Sequence, residues 1–335
     1  TKLAHSFKVI TGKYDNEEDT GDISHFKALT TALSATVGTG NIVGVALAIY
    51  YGGPGAIFWM WVTGFLGMIL KFVECSLSMV YRKVHEDGSV SGGPMYYMEL
   101  GLKDMLGKAA KVMAVIFAIA AVLCSLGTGN MAQSNSIADA MLTTFSIPTW
   151  ISGLVIASLV FLVVVGGIKR IAQVTSKLVP FMAAFYLLAA VIILVLSIDK
   201  IPAALAMILT DAFTGTAATG GFIGSTFFLT LRFGVARGLF SNEAGQGSAA
   251  IAHAAAKTKY PIREGLVASV GPLIDTLVIC TMTALVIILT GSWDSGIEGV
   301  GMTIKGFASG LTAIGLGGWG EYIVGFGLVL FALST

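Results

Sequence analysis

Apolar residues in this chain run in long blocks rather than alternating, and most blocks are near the length that crosses a bilayer. They cover about 28–50, 55–81, 112–142, 150–168, 178–198, 205–231 and 266–291, and an eighth starts near 319. About 20 residues of helix span the hydrocarbon core, so the pattern predicts eight membrane-crossing helices. Two of the blocks are not uniform. The first contains Ala35-Thr36-Val37-Gly38-Thr39-Gly40-Asn41-Ile42-Val43-Gly44, three glycines in seven residues. Each glycine costs about 1 kcal/mol against alanine in a helix interior. Unpaired backbone in hydrocarbon costs several kcal/mol, so a break survives there only beside a buried cavity or an ion. The sixth block is interrupted by Gly215-Thr216-Ala217-Ala218-Thr219-Gly220-Gly221, with Gly224 following. First and sixth spans cross in opposite directions, as in an inverted repeat of five helices whose broken members face each other. On that reading 28–198 is the first repeat and 199–335 the start of the second.

Composition narrows the class. Of 335 residues, 55% are hydrophobic and 12% charged, and mean hydropathy is +0.84. An integral membrane protein follows, and a net charge of +1 gives no footing for nucleic acid. Cys75, Cys124 and Cys280 all fall in apolar blocks and read as small buried residues. Alternate loops 1–27, 82–111, 166–177 and 232–263 hold seventeen of the twenty Lys and Arg residues. The positive-inside rule places these loops, residues 1–27 included, in the cytoplasm. Residues 1–27 are polar and mixed in charge and resemble no signal peptide. The chain starts without Met and stops inside its eighth block, and so reads as a fragment.

The candidate chemistry sits at the interruptions. If the first helix breaks near Gly38–Gly40, carbonyls at Ser34, Ala35 and Val37 lie free at a negative dipole end and suit a small hard cation such as Na⁺. The next half-helix, starting near Asn41, offers N–H groups to a carboxylate. Thr36, Thr39 and Asn41 add neutral oxygens. The bland alternative is close packing through Gly40 and Gly44. Thr219, Gly220 and Gly221 would form the opposing wall, and so little volume points to a small solute. Gly127-Thr128-Gly129-Asn130 and Gln133 put amides at membrane depth, either for a substrate ammonium or to join helices. Asp275 is an intramembrane carboxylate, able to hold a second cation, relay a proton or pair with a base. Glu74 is neutralised by Lys71 one turn earlier. The segment from Gly234 to Ser248 reads as a structured cytoplasmic turn or a docked re-entrant helix. The histidines His5, His25, His85 and His253 form no metal pattern.

Residues 36–44, Ser91-Gly92-Gly93-Pro94-Met95-Tyr96, Arg237-Gly238-Leu239-Phe240-Ser241-Asn242-Glu243-Ala244-Gly245 and Ile274-Asp275-Thr276 together resemble the alanine/glycine:cation symporter family. The resemblance runs through essentially the whole chain. It implies an all-α LeuT-type core of two five-helix inverted repeats, truncated here at both ends, with alanine or glycine as solute and Na⁺, sometimes H⁺, as coupling ion. In such folds Gly-x-Gly-Asn at the first core break meets the substrate carboxylate, which assigns Gly38, Thr39, Gly40 and Asn41 to it. A sodium site there pairs carbonyls of the first helix, here Ser34 and Val37, with two hydroxyls of the eighth, here Ser334 and Thr335. The expected function is sodium-coupled uptake of a small neutral amino acid across the plasma or inner membrane by alternating access. A proton-coupled carrier is the alternative. A channel lacks its ring of charges, and an enzyme lacks a nucleophile, metal cluster or acid pair at depth. No cofactor beyond the coupling ion is expected.

Overall fold

A computed structural model describes residues 2–16, 18–216 and 224–335 of the chain. After the short α1 (Leu3–Ile10), the first apolar block divides as expected. Ser24 caps α2 (His25–Thr36) by accepting the Lys27 N–H at 3.4 Å. A π-helical turn (Gly40–Gly44) leads into α3 (Val45–Gly52), and the two parts meet at 54°. The long α4 (Ala56–Val80) returns. It is followed by a two-stranded antiparallel pair, β1 (Lys83–Val84) and β2 (Val90–Ser91), and by α5 (Pro94–Gly101) and α6 (Lys103–Leu106). Next come α7 (Lys108–Cys124) and α8 (Ala132–Phe145), continuous through a second π turn, then α9 (Thr149–Val164) and α10 (Gly167–Leu196).

The next block departs from the sequence reading. Residues 205–231 do not form one interrupted span. Helix α11 (Ile201–Thr214) ends at Gly215, whose φ of +75° only glycine adopts at little cost. Thr216 and Ser225 then pair as an antiparallel bridge, and α12 (Phe227–Asn242) starts on a Thr226 cap. The Ser225 and Thr230 hydroxyls both donate to the Gly52 carbonyl, at 3.0 and 2.7 Å, and so fasten the end of α3 to the start of α12. The expected wall of Thr219, Gly220 and Gly221 lies outside the described residues.

Nor is 232–247 a loop. Helix α12 packs along α3 and α4, with Gly234 and Gly238 against Ala56 and Thr63. A break at 243–247 follows, then α13 (Ser248–Ala254) beside α2. Among the described residues α12 and α13 thus form a second interrupted pair, running antiparallel to α2 and α3 with the breaks side by side. The sequence does not signal this break, because Ser241, Asn242 and Glu243 look like loop residues; the interruption expected from Gly215 begins where α11 ends, and 217–221 lie outside the described residues.

The rest is α14 (Pro261–Ala268), the one-turn α15 (Val270–Pro272), a third π turn (Leu273–Cys280), α16 (Thr281–Leu289), α17 (Val300–Leu311) and α18 (Gly320–Ser334). Among the described residues five helices are long and apolar enough to cross a membrane, or six with the bent pair; α9 is a shorter apolar helix. The core gathers around Tyr186, whose ring meets Phe307 and Phe331 and whose hydroxyl meets Thr283 at 2.9 Å. Large apolar residues on α7, α9 and α10 face outward, as on surfaces that lipid covers. Cys124 is among the exposed residues, contrary to the reading of all three cysteines as buried; Cys75 and Cys280 are buried.

Arg82, just past α4, donates to the carbonyls of Thr20, Ala254, Ala256 and Thr258 at 2.7–3.0 Å. Burial pulls its guanidinium below the usual range, while Glu264, Asp19 and Asp22 push it back up. Backbone bonds from Asp22 and Ile23 to Ala255, and from Lys257 to Ile23, stitch the start of α2 to the end of α13.

Candidate functional site

At the first break α2 stops at Thr36, and Val37 (ψ 87°) leaves the helical path. The turn frees carbonyls behind it and N–H groups ahead. Several of these groups meet side chains, some of them far along the chain. The Ser334 hydroxyl lies 3.3 Å from the Ser34 carbonyl and 3.4 Å from that of Val37. Thr335 stands beside Gly38, where an added Cβ would sit 2.5 Å from its hydroxyl. Of the four residues expected to hold sodium, the Ser334 hydroxyl thus lies near both carbonyls, and Thr335 stands beside Gly38. The Thr335 hydroxyl itself donates to Phe331 at 3.1 Å.

On the other side of the break, Gly38 N–H donates to Asn41 Oδ1 at 2.9 Å and Thr39 N–H to Gln133 Oε1 at 3.4 Å. Gln133 is buried, whereas Thr128 and Asn130 are exposed on the same helix and do not join it. Thr36 bonds only within α2, to Ala32 and Leu33. Gly40 packs on α12: a Cβ there would lie 3.3 Å from Ser241 Cα and 3.4 Å from the Phe240 ring. That contact leaves the first break no room for a bulky partner.

Asn41 is fully buried and joins three segments. Its amide donates to Asp275 Oδ1 at 2.6 Å and reaches Ser241 Oγ at 3.2 Å and Cys280 Sγ at 3.3 Å. Ser241 and Thr276 donate to the other carboxylate oxygen at 2.9 and 2.7 Å. Asp275 lies in the π turn that follows Pro272, whose missing N–H removes a regular helical bond. Among the described residues no salt bridge reaches this carboxylate. Two of the three π turns, Gly40–Gly44 and Leu273–Cys280, therefore meet at the Asn41–Asp275 contact, in keeping with the use of such bulges at functional sites.

Sequence reasoning missed Ser241 and Asn242, which line the meeting of the two breaks. The available signal was Ser-Asn-Glu-Ala-Gly-Gln-Gly after a block that could be helical. Around the second break Asn242 Oδ1 accepts the Ala244 N–H at 3.0 Å, and Glu243, at φ +51°, accepts from Ser248 at 2.5 Å. Glu74 takes the Gly247 N–H at 3.2 Å and so caps α13. Lys71 Nζ lies 4.0 Å from Glu74, too far for a hydrogen bond. Glu74 is thus a cap for the break as well as the neighbour of Lys71.

The model of the sodium:alanine symporter family matches residues 1–335. The chain is 46% identical to the sodium/alanine symporter AgcS of Methanococcus maripaludis, over 99% of this chain and 72% of that protein. It is 38% identical to the putative sodium/proton-dependent alanine carrier protein YrbD of Bacillus subtilis, over 100% of this chain and 69% of that one. The probable sodium/glutamine symporter GlnT of the same bacterium is 39% identical over 87% of this chain and 60% of its own length.

Proposed function

The chain belongs to the sodium:alanine symporter family, whose members are transporters and not enzymes, and from that premise we propose that it couples Na⁺ to the movement of alanine or glycine across the cytoplasmic membrane. The observation that carries the reading is the position of Ser334 over the Ser34 and Val37 carbonyls at a helix break. Two carbonyls and two hydroxyls are hard, neutral ligands, the kind a sodium ion takes in exchange for water. Side-chain-free Gly38 keeps the space beside Thr335 open. The Ser334 hydroxyl gives its one proton to the Phe331 carbonyl at 2.8 Å, which leaves its lone pairs to bind Na⁺ beside the Ser34 and Val37 carbonyls.

The solute's carboxylate takes the N–H groups of Gly38 and Thr39, displacing the side-chain oxygens of Asn41 and Gln133 that now fill them. Anion binding at such exposed N–H groups follows from the helix dipole. Tight packing at Gly40 limits the solute to a small one. One methylene is worth only about 1–3 kcal/mol of discrimination, so alanine and glycine are both accommodated by this reading. Asp275, ringed by Asn41, Ser241 and Thr276, is where a second cation or a coupled proton is held. Both half-helix pairs then swing about the two breaks, with residues 1–27 on the cytoplasmic side.

Binding of radiolabelled alanine and glycine to the intact purified protein, in Na⁺ and with choline in its place, tests this. Saturable binding that needs Na⁺ is expected. Tight binding indifferent to Na⁺ transfers the coupling to a proton at Asp275, and binding of neither amino acid removes the solute assignment.

A further inference from the structure

A second buried polar cluster lies away from the break, where α2 starts, α13 ends and α14 starts. Glu264 is fully buried, and its two carboxylate oxygens meet the Nδ1 atoms of His25 and His253, one each. An ionised carboxylate only accepts, so both rings carry their proton on Nδ1. In a neutral ring Nε2 is then a bare lone pair, and both Nε2 atoms are buried without a hydrogen-bond partner. Three residues from three helices, up to 239 positions apart, thus converge with two unused basic nitrogens.

We propose that His25, Glu264 and His253 form a proton-binding site whose occupancy controls how firmly α14 holds the two stitched half-helices α2 and α13. With both rings neutral the trio carries one buried negative charge; one proton, taken from water onto a bare Nε2, cancels it. Burying a net charge is costly, and an internally neutral cluster costs less. The charged surroundings offer a proton both a route and a resting place. On the side of the N-terminal segment, the half-exposed Asp15 carboxylate lies 3.8 Å from His25 Nε2. From α4, Glu74 acts on His253, and Lys71 lines the cavity that His253 shares with Thr36 and Asn242. Arg82, with Asp19 and Asp22 near it, acts on Glu264 from the end of α4. Arg263, next to Glu264, is turned away onto the Tyr14 carbonyl at 3.0 Å.

The mechanical consequence follows from the stitching. Because Asp22, Ile23 and Lys257 bind the start of α2 to the end of α13, these two ends move as one body, and Glu264 of α14 grips that body at two points. Protonation of a ring puts a positive charge on the donor of a hydrogen bond whose acceptor is already charged, and so adds an ion pair to it. Histidine makes this change between about pH 5 and 8, so acid tightens the grip and alkali loosens it. Its use as a gate rests on the alternating-access reading; proton uptake by the cluster does not.

The chain carries its own reporter. Cys75 of α4 is fully buried among Ala32, Ala249, Ala250 and Ala268 of the same three elements, so a reagent reaches it only when they part. Maleimide alkylation of Cys75 is followed by mass spectrometry in the intact protein in nanodiscs, from about pH 8 to about pH 5.5, against the His25→Gln/His253→Gln variant. Glutamine keeps an N–H for Glu264 and does not titrate, and the ratio of the two rates cancels the thiol's own pH dependence. The ratio is expected to fall severalfold as pH drops. A ratio constant across the range overturns the proposal. Should the double variant fail to fold, the surface variant Asp15→Asn serves in its place: a shallower fall than in the wild type supports the proposal, and an identical profile overturns it. Labelling reports on helix ends and not on a solute, so a wrong solute assignment leaves the result interpretable.

Discussion

The two breaks lie side by side, yet they are closed in opposite ways. The break at Val37–Thr39 has one cap of its own, Asn41 on the Gly38 N–H, and otherwise meets side chains from far along the chain, Gln133 and Ser334. The break at 243–247 closes mainly on itself, through Asn242, Glu243 and Ser248, with Glu74 and Thr276 as outside partners. A polar group satisfied by a distant side chain exchanges that partner for a ligand with little rearrangement of its own backbone. A locally closed turn offers no such exchange. Under the proposed function, the contrast puts binding at the first break and a hinge at the second.

The largest expected effect strikes Asn41, which ties the first break to α12 and to the Asp275 turn. Asn41→Ala strips a cap from Gly38 and a donor from the buried Asp275 carboxylate. A loss on the order of 3 kcal/mol in stability is expected, read by thermal unfolding in detergent, together with loss of Na⁺-dependent binding. Gly38→Ala comes next. Its Cβ would sit 2.5 Å from the Thr335 hydroxyl and 3.4 Å from Gln133 Oε1, an overpacking cost of about 2 kcal/mol, with Na⁺ affinity falling more than stability.

Ser334→Ala should separate binding from folding. The half-buried hydroxyl keeps a local bond to Phe331 at 2.8 Å, so stability changes by about 1 kcal/mol while Na⁺ affinity drops about tenfold, or 1.4 kcal/mol. An unchanged affinity would remove Ser334 from the ion site. Smallest is Glu243→Gly in the second break. Relief of its φ of +51° offsets the lost bond to Ser248, leaving a net change under about 1 kcal/mol and Na⁺ affinity unaltered. A large affinity loss there would break the division between a binding break and a hinge.

How much was legible follows the same line. The first break was readable because glycines inside an apolar block conflict with their surroundings, and that conflict is local. The meeting of Ser34, Val37, Ser334 and Thr335 depended on family resemblance, since nothing in spacing joins positions 300 residues apart. The break at 243–247 was not legible because glycine count was weighed at 215–221 and burial could not be. Ser241 and Asn242 look polar and loop-like in sequence, and only packing against α4 and the Asp275 turn makes them interior. His25 and His253 likewise read as scattered loop histidines, and the carboxylate that joins them comes from a third helix.

The fastening of both broken helices at both ends bears on what inheritance can alter here. Ser225 and Thr230 hold the Gly52 carbonyl at one end, and Ala255 and Lys257 hold the residues before α2 at the other. One residue added to an α-helix turns everything beyond it by about 100° and advances it by about 1.5 Å. An insertion in either break would therefore pull one set of fastenings out of register, however well the new side chain fitted. In the tip between β1 and β2, where Gly88 has open space around it, a residue gained or lost displaces nothing. Descendants of this chain can change a letter in either break at a local cost, but not the number of letters.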